Sequence, residues 1–214
     1  MKKEDFLTLV VYGLMFIIAL FIGLEIVATA LTELGYFSDL ERYSFASIVI
    51  IIGIIFNVIL FELGHVIGAK IAGYKILSVN MLGFCFYRTK TKLRFGFKSF
   101  QGLTGETKII AEKEKASPRS YFLGPTTLVV IEFVVAILIF VFTPKDIIIH
   151  HAALIVSGIG VLLLVYNIMP FKLDTLTDGY YLVMLSKKIN IEAYNELIRI
   201  ESKIFNSEEI GEVK

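Results

Sequence analysis

Long apolar runs separated by short polar stretches form the pattern of this chain. A helix needs about 20 mostly apolar residues to cross the hydrocarbon core of a bilayer. Four runs meet that length, and they predict membrane-spanning helices at about 6–31, 45–72, 121–142 and 147–170. The sequence therefore predicts an α-helical membrane protein with about four transmembrane helices.

The stretch between the second and third runs has a two-residue period instead. Basic side chains occupy alternate positions, and aromatic or β-branched residues fill most positions between them, which is typical of strands. The basic residues are Arg88, Lys90, Lys92 and Arg94. We expect a short β-sheet in a cytosolic loop at about 74–110, associated with the inner membrane surface, with these residues on one face. Lipid phosphates and solvent remain alternative surroundings for that face.

Apolar residues return at helical spacing after the last run, at Ile191, Tyr194, Leu197 and Ile198. This spacing predicts an amphipathic surface helix. We therefore divide the chain into a membrane core at 1–190 and a C-terminal cytosolic helix and tail at 191–214.

Composition narrows the class of protein. Of the 214 residues, 56% are hydrophobic and the mean hydropathy is +0.76, which indicates an integral membrane protein because soluble domains average about 45–50% apolar residues. The single cysteine, Cys85, excludes an internal disulfide framework and a Cys-based zinc site. The net charge of +1 does not suggest a nucleic-acid partner. A composition rich in Lys and Ile and lacking Trp suggests a bacterial plasma membrane.

Basic residues also predict the orientation. They concentrate between positions 70 and 119, whereas the other side of the membrane has only Arg42 and Lys145. By the positive-inside rule, the middle loop and both termini are cytosolic. The second span then places position 61 within the bilayer, toward its cytosolic side.

The second span contains the string FELGH at 61–65, one letter away from HExxH. In an intact HExxH helix, two His bind zinc and the Glu takes a proton from the zinc-bound water. Here Phe61 stands at the first ligand position, while Glu62 and His65 keep theirs. A catalytic zinc site also needs a third protein ligand from elsewhere in the chain.

Candidates for that third ligand follow the last span, in the stretch YNIMPFKLDTLTDGYYLV. Pro170 ends the helix there, and Asp174 and Asp178 come after it. Because the second and fourth spans both end on the cytosolic side, either carboxylate is within reach of His65.

Three stretches resemble the site-2 protease family of intramembrane zinc metalloproteases, over roughly residues 45–185. FELGHVIGAKIAGYK is similar to the HExxH helix, YFLGPTTLVVIEF to the helix with Ala-Gly-Pro-x-x-Asn, and NIMPFKLDTLTDGYYL to the Asn-x-x-Pro and Asp-Gly motif. The chain differs from the family's motifs at Phe61, at Leu128 where Asn is usual, and by extra residues before Asp178. Because Gly179 follows it, Asp178 matches the motif better than Asp174.

The resemblance implies a role for each residue. His65 and Asp178 would bind one zinc ion, with Phe61 at the position of the missing His ligand. Glu62 would be the general base, and Asn167 would hold the substrate backbone or stabilise the oxyanion. The reaction would be hydrolysis of a peptide bond in a small membrane-anchored substrate, in or near the bilayer. The family is also expected to have a sheet that receives substrate as an added strand.

Phe61 cannot bind zinc, so this chain is expected to bind the metal weakly or not at all and to be inactive or nearly so. One explanation is a natural pseudoprotease that binds or sequesters peptides, or acts as an immunity protein. The other is a deliberately substituted ligand, which we favour because the remaining site residues are retained. A transporter using Glu25 and Glu132 is a further alternative. For Glu132 we expect a structural hydrogen bond to a neighbouring helix.

Overall fold

The computed structural model describes residues 38–88, 93–97, 105–111, 117–145, 147–170 and 176–210, with scattered positions between 10 and 24. The first predicted span lies largely outside these residues. So do Glu25 and Asp174, and the predictions about them stay predictions.

Three long helices correspond to the second, third and fourth predicted spans. They are α1 (Asp39–Ala72), α2 (Arg119–Phe142) and α3 (Ile148–Ile168). In the part of the chain that is described, these three are long and apolar enough to cross a membrane. A helix suits such sequences because it satisfies every backbone hydrogen bond internally, which lipid requires. Apolar side chains such as Ile51 and Val135 are exposed on these helices, as lipid-facing residues are.

A four-stranded antiparallel sheet lies between α1 and α2 in sequence, as predicted. Its strands are β1 (Tyr74–Met81), β2 (Phe84–Arg88), β3 (Leu93–Phe97) and β4 (Glu106–Ala111). Their order is β3-β2-β1-β4, so β3 and β4 form the edges.

The predicted single basic face is wrong. Arg88 pairs with Leu93, and Arg94 pairs with Tyr87. Because directly paired residues share a face and neighbours along a strand alternate, Arg88 and Arg94 point to opposite sides. Because β2 and β3 pair as antiparallel neighbours, the alternation of basic residues does not continue from one strand into the next.

Two helices complete the chain, α4 (Asp178–Met184) and α5 (Lys188–Ile210). The latter lies where the amphipathic helix is predicted. The Tyr74 hydroxyl donates a 2.7 Å hydrogen bond to Asn195 Oδ1 and so links α5 to β1. Tyr74 and Ile198 belong to a buried hydrophobic cluster with Phe122 and Leu185.

The chain divides into two compact units. One combines Met1–Asn57 with Thr127–Thr177, and the other combines Val58–Thr126 with Asp178–Lys214. The second unit contains the sheet, α4, α5 and the hydrophobic cluster. The predicted division at residue 190 stays a prediction.

Candidate active site

Glycine residues bring α1 and α2 into direct backbone contact within the second unit. Gly64 and Gly68 lie one turn apart on α1, the spacing that lets helix backbones approach closely in membranes. A Cβ at Gly64 would lie 2.5 Å from the N and Cα atoms of Pro125. A Cβ at Gly124 would in turn meet the carbonyl oxygen of Gly64. This close approach holds His65 against the first turns of α2.

Pro125 explains which atom of α2 contacts His65. Proline has no N–H, so inside a helix it leaves the carbonyl of the residue four positions earlier without its usual donor. That residue is Tyr121, and its carbonyl oxygen lies 3.1 Å from His65 Nδ1. Since a carbonyl only accepts, Nδ1 carries the hydrogen, and Nε2 of the neutral ring is left with a free lone pair.

Asp178 faces that lone pair. It is the first residue of α4, and its Oδ2 lies 3.4 Å from His65 Nε2, with both side chains 12% exposed. Two ligands about 2.0–2.2 Å from a tetrahedral zinc ion would lie roughly 3.3–3.5 Å apart. The pair therefore has the spacing of two zinc ligands, and it is also an ion pair when the ring is protonated.

A residue of the β-sheet positions the Glu62 side chain. Its side chain is buried, at 6% exposure, and Thr107 Oγ1 donates a 2.5 Å hydrogen bond to Glu62 Oε2. The Tyr121 hydroxyl donates to the Thr107 carbonyl at 2.8 Å, which ties β4 to α2. Gly105 lies beside the Glu62 carboxylate, where a Cβ would clash. The start of β4 therefore covers one side of this carboxylate.

Phe61 limits what this site binds. It precedes His65 by four residues and lies on the same helix face, but its side chain has no donor atom for a metal. Within the described ranges, no group of three or more His, Cys, Asp or Glu side chains could hold a metal ion. The residues present therefore fit two zinc ligands but do not fit a three-ligand catalytic zinc site.

Asn167 lies near the C-terminal end of α3, in the first unit, and its predicted substrate role stays a prediction. Sequence reasoning did not single out Thr107 or Tyr121. For Tyr121 a signal existed, because Pro125 stands four residues later.

A cleft of about 440 Å³ adjoins these residues in the second unit. Its lining includes Thr107 and Tyr121 from the site, together with Tyr181, Tyr194 and Glu201. Burial, with smaller contributions from negative charge nearby, raises the pKa of Tyr194. The phenol therefore stays neutral and offers a hydroxyl group to whatever occupies the cleft.

Comparison of the chain with protein-family models, curated proteins and solved structures finds no match. The geometry of Glu62, His65 and Asp178 and the motifs in the sequence are therefore the features that indicate a function.

Proposed function

We propose that this chain is an intramembrane metalloprotease of the site-2 type whose first zinc-ligand position is occupied by Phe61. The observation that carries the proposal is the 3.4 Å approach of His65 Nε2 and Asp178 Oδ2, with Glu62 one turn from His65 on the same helix. The substrate would be a small membrane-anchored peptide or protein, cut at a peptide bond in or near the bilayer.

Each side chain has a distinct task in this proposal. Tyr121 fixes the tautomer of His65 through its carbonyl, so that Nε2 faces Asp178. Thr107 holds one oxygen of the Glu62 carboxylate, which is the general base in an active form. Because Phe61 withholds the third ligand, we expect no hydrolysis from this form.

The proposal includes a placement in the membrane. We infer four spans from the apolar runs and a bacterial plasma membrane from the composition. By the positive-inside rule, both termini and the site would lie toward the cytosol. The sheet would contact lipid through Phe84, Phe86, Phe95 and Phe97. These rings lie on one face of β2 and β3, contact one another with centroids 5.1–5.9 Å apart, and are 39–78% exposed.

Restoring the missing ligand tests this function. We would purify the Phe61→His variant in detergent and measure zinc per chain by mass spectrometry. Leu63→His is the matched control, because it adds a histidine two residues away at an exposed position. We expect stoichiometric zinc with Phe61→His and none with Leu63→His or the original chain. Asp178→Ala in the Phe61→His background should abolish zinc binding.

Cleavage of membrane-anchored peptides by Phe61→His would then be assayed, with Glu62→Gln as the inactive control. A Phe61→His chain that folds and binds no zinc would overturn the proposal. Zinc binding that survives Asp178→Ala would show instead that another residue is the third ligand.

The second candidate is a peptide-binding pseudoprotease, and Phe61 itself is the observation that favours it. It predicts that the original chain retains membrane-anchored peptides and that Phe61→His neither binds zinc nor cleaves them. The codon at position 61 in the source genome separates natural loss from deliberate substitution. We favour substitution because Glu62, His65 and Asp178 remain together.

A further inference from the structure

A second buried polar cluster lies in the first unit, where α1, α2 and α3 contribute Asn57, Glu132 and Gly160. Asn57 is fully buried, at 0% exposure. Its Nδ2 donates to the carbonyl oxygens of Gly53 and Val156, each at 3.0 Å. An amide nitrogen has two hydrogens, so both are used, and Oδ1 points away from these carbonyls.

Asn57 Oδ1 and the Glu132 carboxylate converge on the backbone of Gly160. A Cβ at that position would lie 2.5 Å from Asn57 Oδ1 and 2.6 Å from Glu132 Oε2. By hydrogen-bond geometry, neither oxygen of Glu132 has a donor among the described residues, and neither does Asn57 Oδ1. An ionised carboxylate would therefore face another acceptor in a low-dielectric setting, which is an unfavourable arrangement.

Reversing the amide does not solve this problem. With its oxygen and nitrogen exchanged, Asn57 would direct Oδ1 at the carbonyls of Gly53 and Val156 and lose two hydrogen bonds. These acceptors are therefore satisfied by a hydrogen, or by a cation, placed between Glu132 and Asn57. Hard cations such as Ca²⁺ and Mg²⁺ take about six or more oxygen ligands, and these two side chains supply three. A proton on one Glu132 oxygen removes the charge and joins that oxygen to Asn57 Oδ1 without any further ligand.

Apart from Glu132 itself, the described residues at this cluster are uncharged. Beside Asn57, α1 presents Gly53, and α3 presents Val156 and Gly160. No cation among these residues stabilises an ionised Glu132 across the helix contacts. From this geometry, we propose that Glu132 is an intramembrane proton-binding site, a carboxylic acid that donates its O–H to Asn57 Oδ1. The hydrogen bond expected for Glu132 is then made by its own proton.

A membrane-permeant carbodiimide tests the proposal directly, because it modifies carboxylic acids in an apolar phase. The proton of the acid moves to a carbodiimide nitrogen, and the carboxylate oxygen adds to the central carbon. No group leaves, so the product is a one-to-one adduct. The full chain in lipid nanodiscs at neutral pH would be treated with dicyclohexylcarbodiimide, digested and analysed by mass spectrometry. Glu192, which is exposed on α5, is the internal control.

We expect an adduct on Glu132 and none on Glu192. A water-soluble carbodiimide with an added amine should give the opposite pattern. Glu132→Gln should lose the adduct and keep the Tm within a few degrees, because its amide N–H replaces the acid proton as donor to Asn57. An unlabelled Glu132 in the folded chain would overturn the proposal. Protection by sodium at constant pH would also overturn it, in favour of a cation site. A large drop in Tm for Glu132→Gln would also overturn it, because a neutral donor at this position would then fail to replace the acid.

Discussion

Gly68→Ala tests whether the backbone contact between α1 and α2 determines the position of His65. The added Cβ would meet the Ser120 carbonyl oxygen and would lie 2.9 Å from Tyr121 Cα. Both atoms belong to the backbone, so neither can rotate away. The helices must separate, and this separation also lengthens the hydrogen bond from His65 to the Tyr121 carbonyl.

The size of the effect follows from two opposing contributions. Alanine stabilises a helix by about 1 kcal/mol relative to glycine. Overpacking costs about 1–3 kcal/mol where side chains can adjust. Because the obstacle at Gly68 is backbone, which cannot rotate away, we expect a cost at or above the upper end of that range. We expect a net loss of about 2 kcal/mol in the free energy of unfolding. At about 2–4 °C per kcal/mol for a chain of this size, the Tm should fall by about 4–8 °C.

Thermal unfolding in detergent measures this loss, and Gly53→Ala is the matched control. Its Cβ would meet the end of the Ile159 side chain, Cδ1, at 2.8 Å, and that group can rotate. We expect a Tm within about 2 °C of the original, because the gain in helix propensity offsets mild crowding. In the Phe61→His background, Gly68→Ala should also weaken zinc binding about 10–100-fold, as the loss of a ligand's supporting contact does. Equal Tm values for the two alanine variants would refute the reasoning.

Two further predictions concern groups that link the sheet to the helices. Thr107→Val removes the hydrogen bond to buried Glu62 and should lower the free energy of unfolding by about 1–3 kcal/mol, measured by thermal unfolding. Thr107→Ser keeps a hydroxyl and should recover most of this loss. Equal losses in both variants would contradict the hydrogen bond as the cause. Burial raises the pKa of the Tyr74 hydroxyl in the folded protein. As the pH rises, Tyr74 therefore ionises at a lower pH in the unfolded chain than in the folded one. The free energy of unfolding should keep this contribution below about pH 10 and lose it above that pH. Tyr74→Phe should flatten that decline in denaturation curves measured against pH, and exposed Tyr43→Phe should leave it unchanged.

The long helices were predictable because a span requires a continuous apolar run, and 45–72 and 121–142 agree with α1 and α2 to within a few residues at their ends. Strand alternation predicted β2 and β3. The face of Arg88 was not predictable, because it depends on where the hairpin turns. The hydrogen bond from Thr107 to Glu62 also escaped prediction, since it depends on the β1–β4 register, which shifts between Ile76 and Ser78.

Site residues that share one helix, such as Glu62 and His65, can be predicted to lie together from their spacing alone. Predicting that Asp178 lies close to His65 required the resemblance to known motifs, because their separation in the sequence does not determine the distance between them. Asn57 also carries a signal in the sequence. An amide in an apolar span needs partners, and our proposal gives Glu132, for which a structural hydrogen bond is expected, as the partner of its oxygen.

The carbonyl freed by Pro125 has a consequence for mutational tolerance. Because the atom that orients His65 belongs to the backbone, replacing the side chain at position 121 leaves that atom in place. Any residue other than proline at 125 would restore an N–H that competes for the same carbonyl. A saturation library scored for zinc binding in the Phe61→His background should therefore show an unusual ranking. Phenylalanine at position 121, which keeps both the carbonyl and a ring beside His65, should be accepted more readily than any replacement of Pro125.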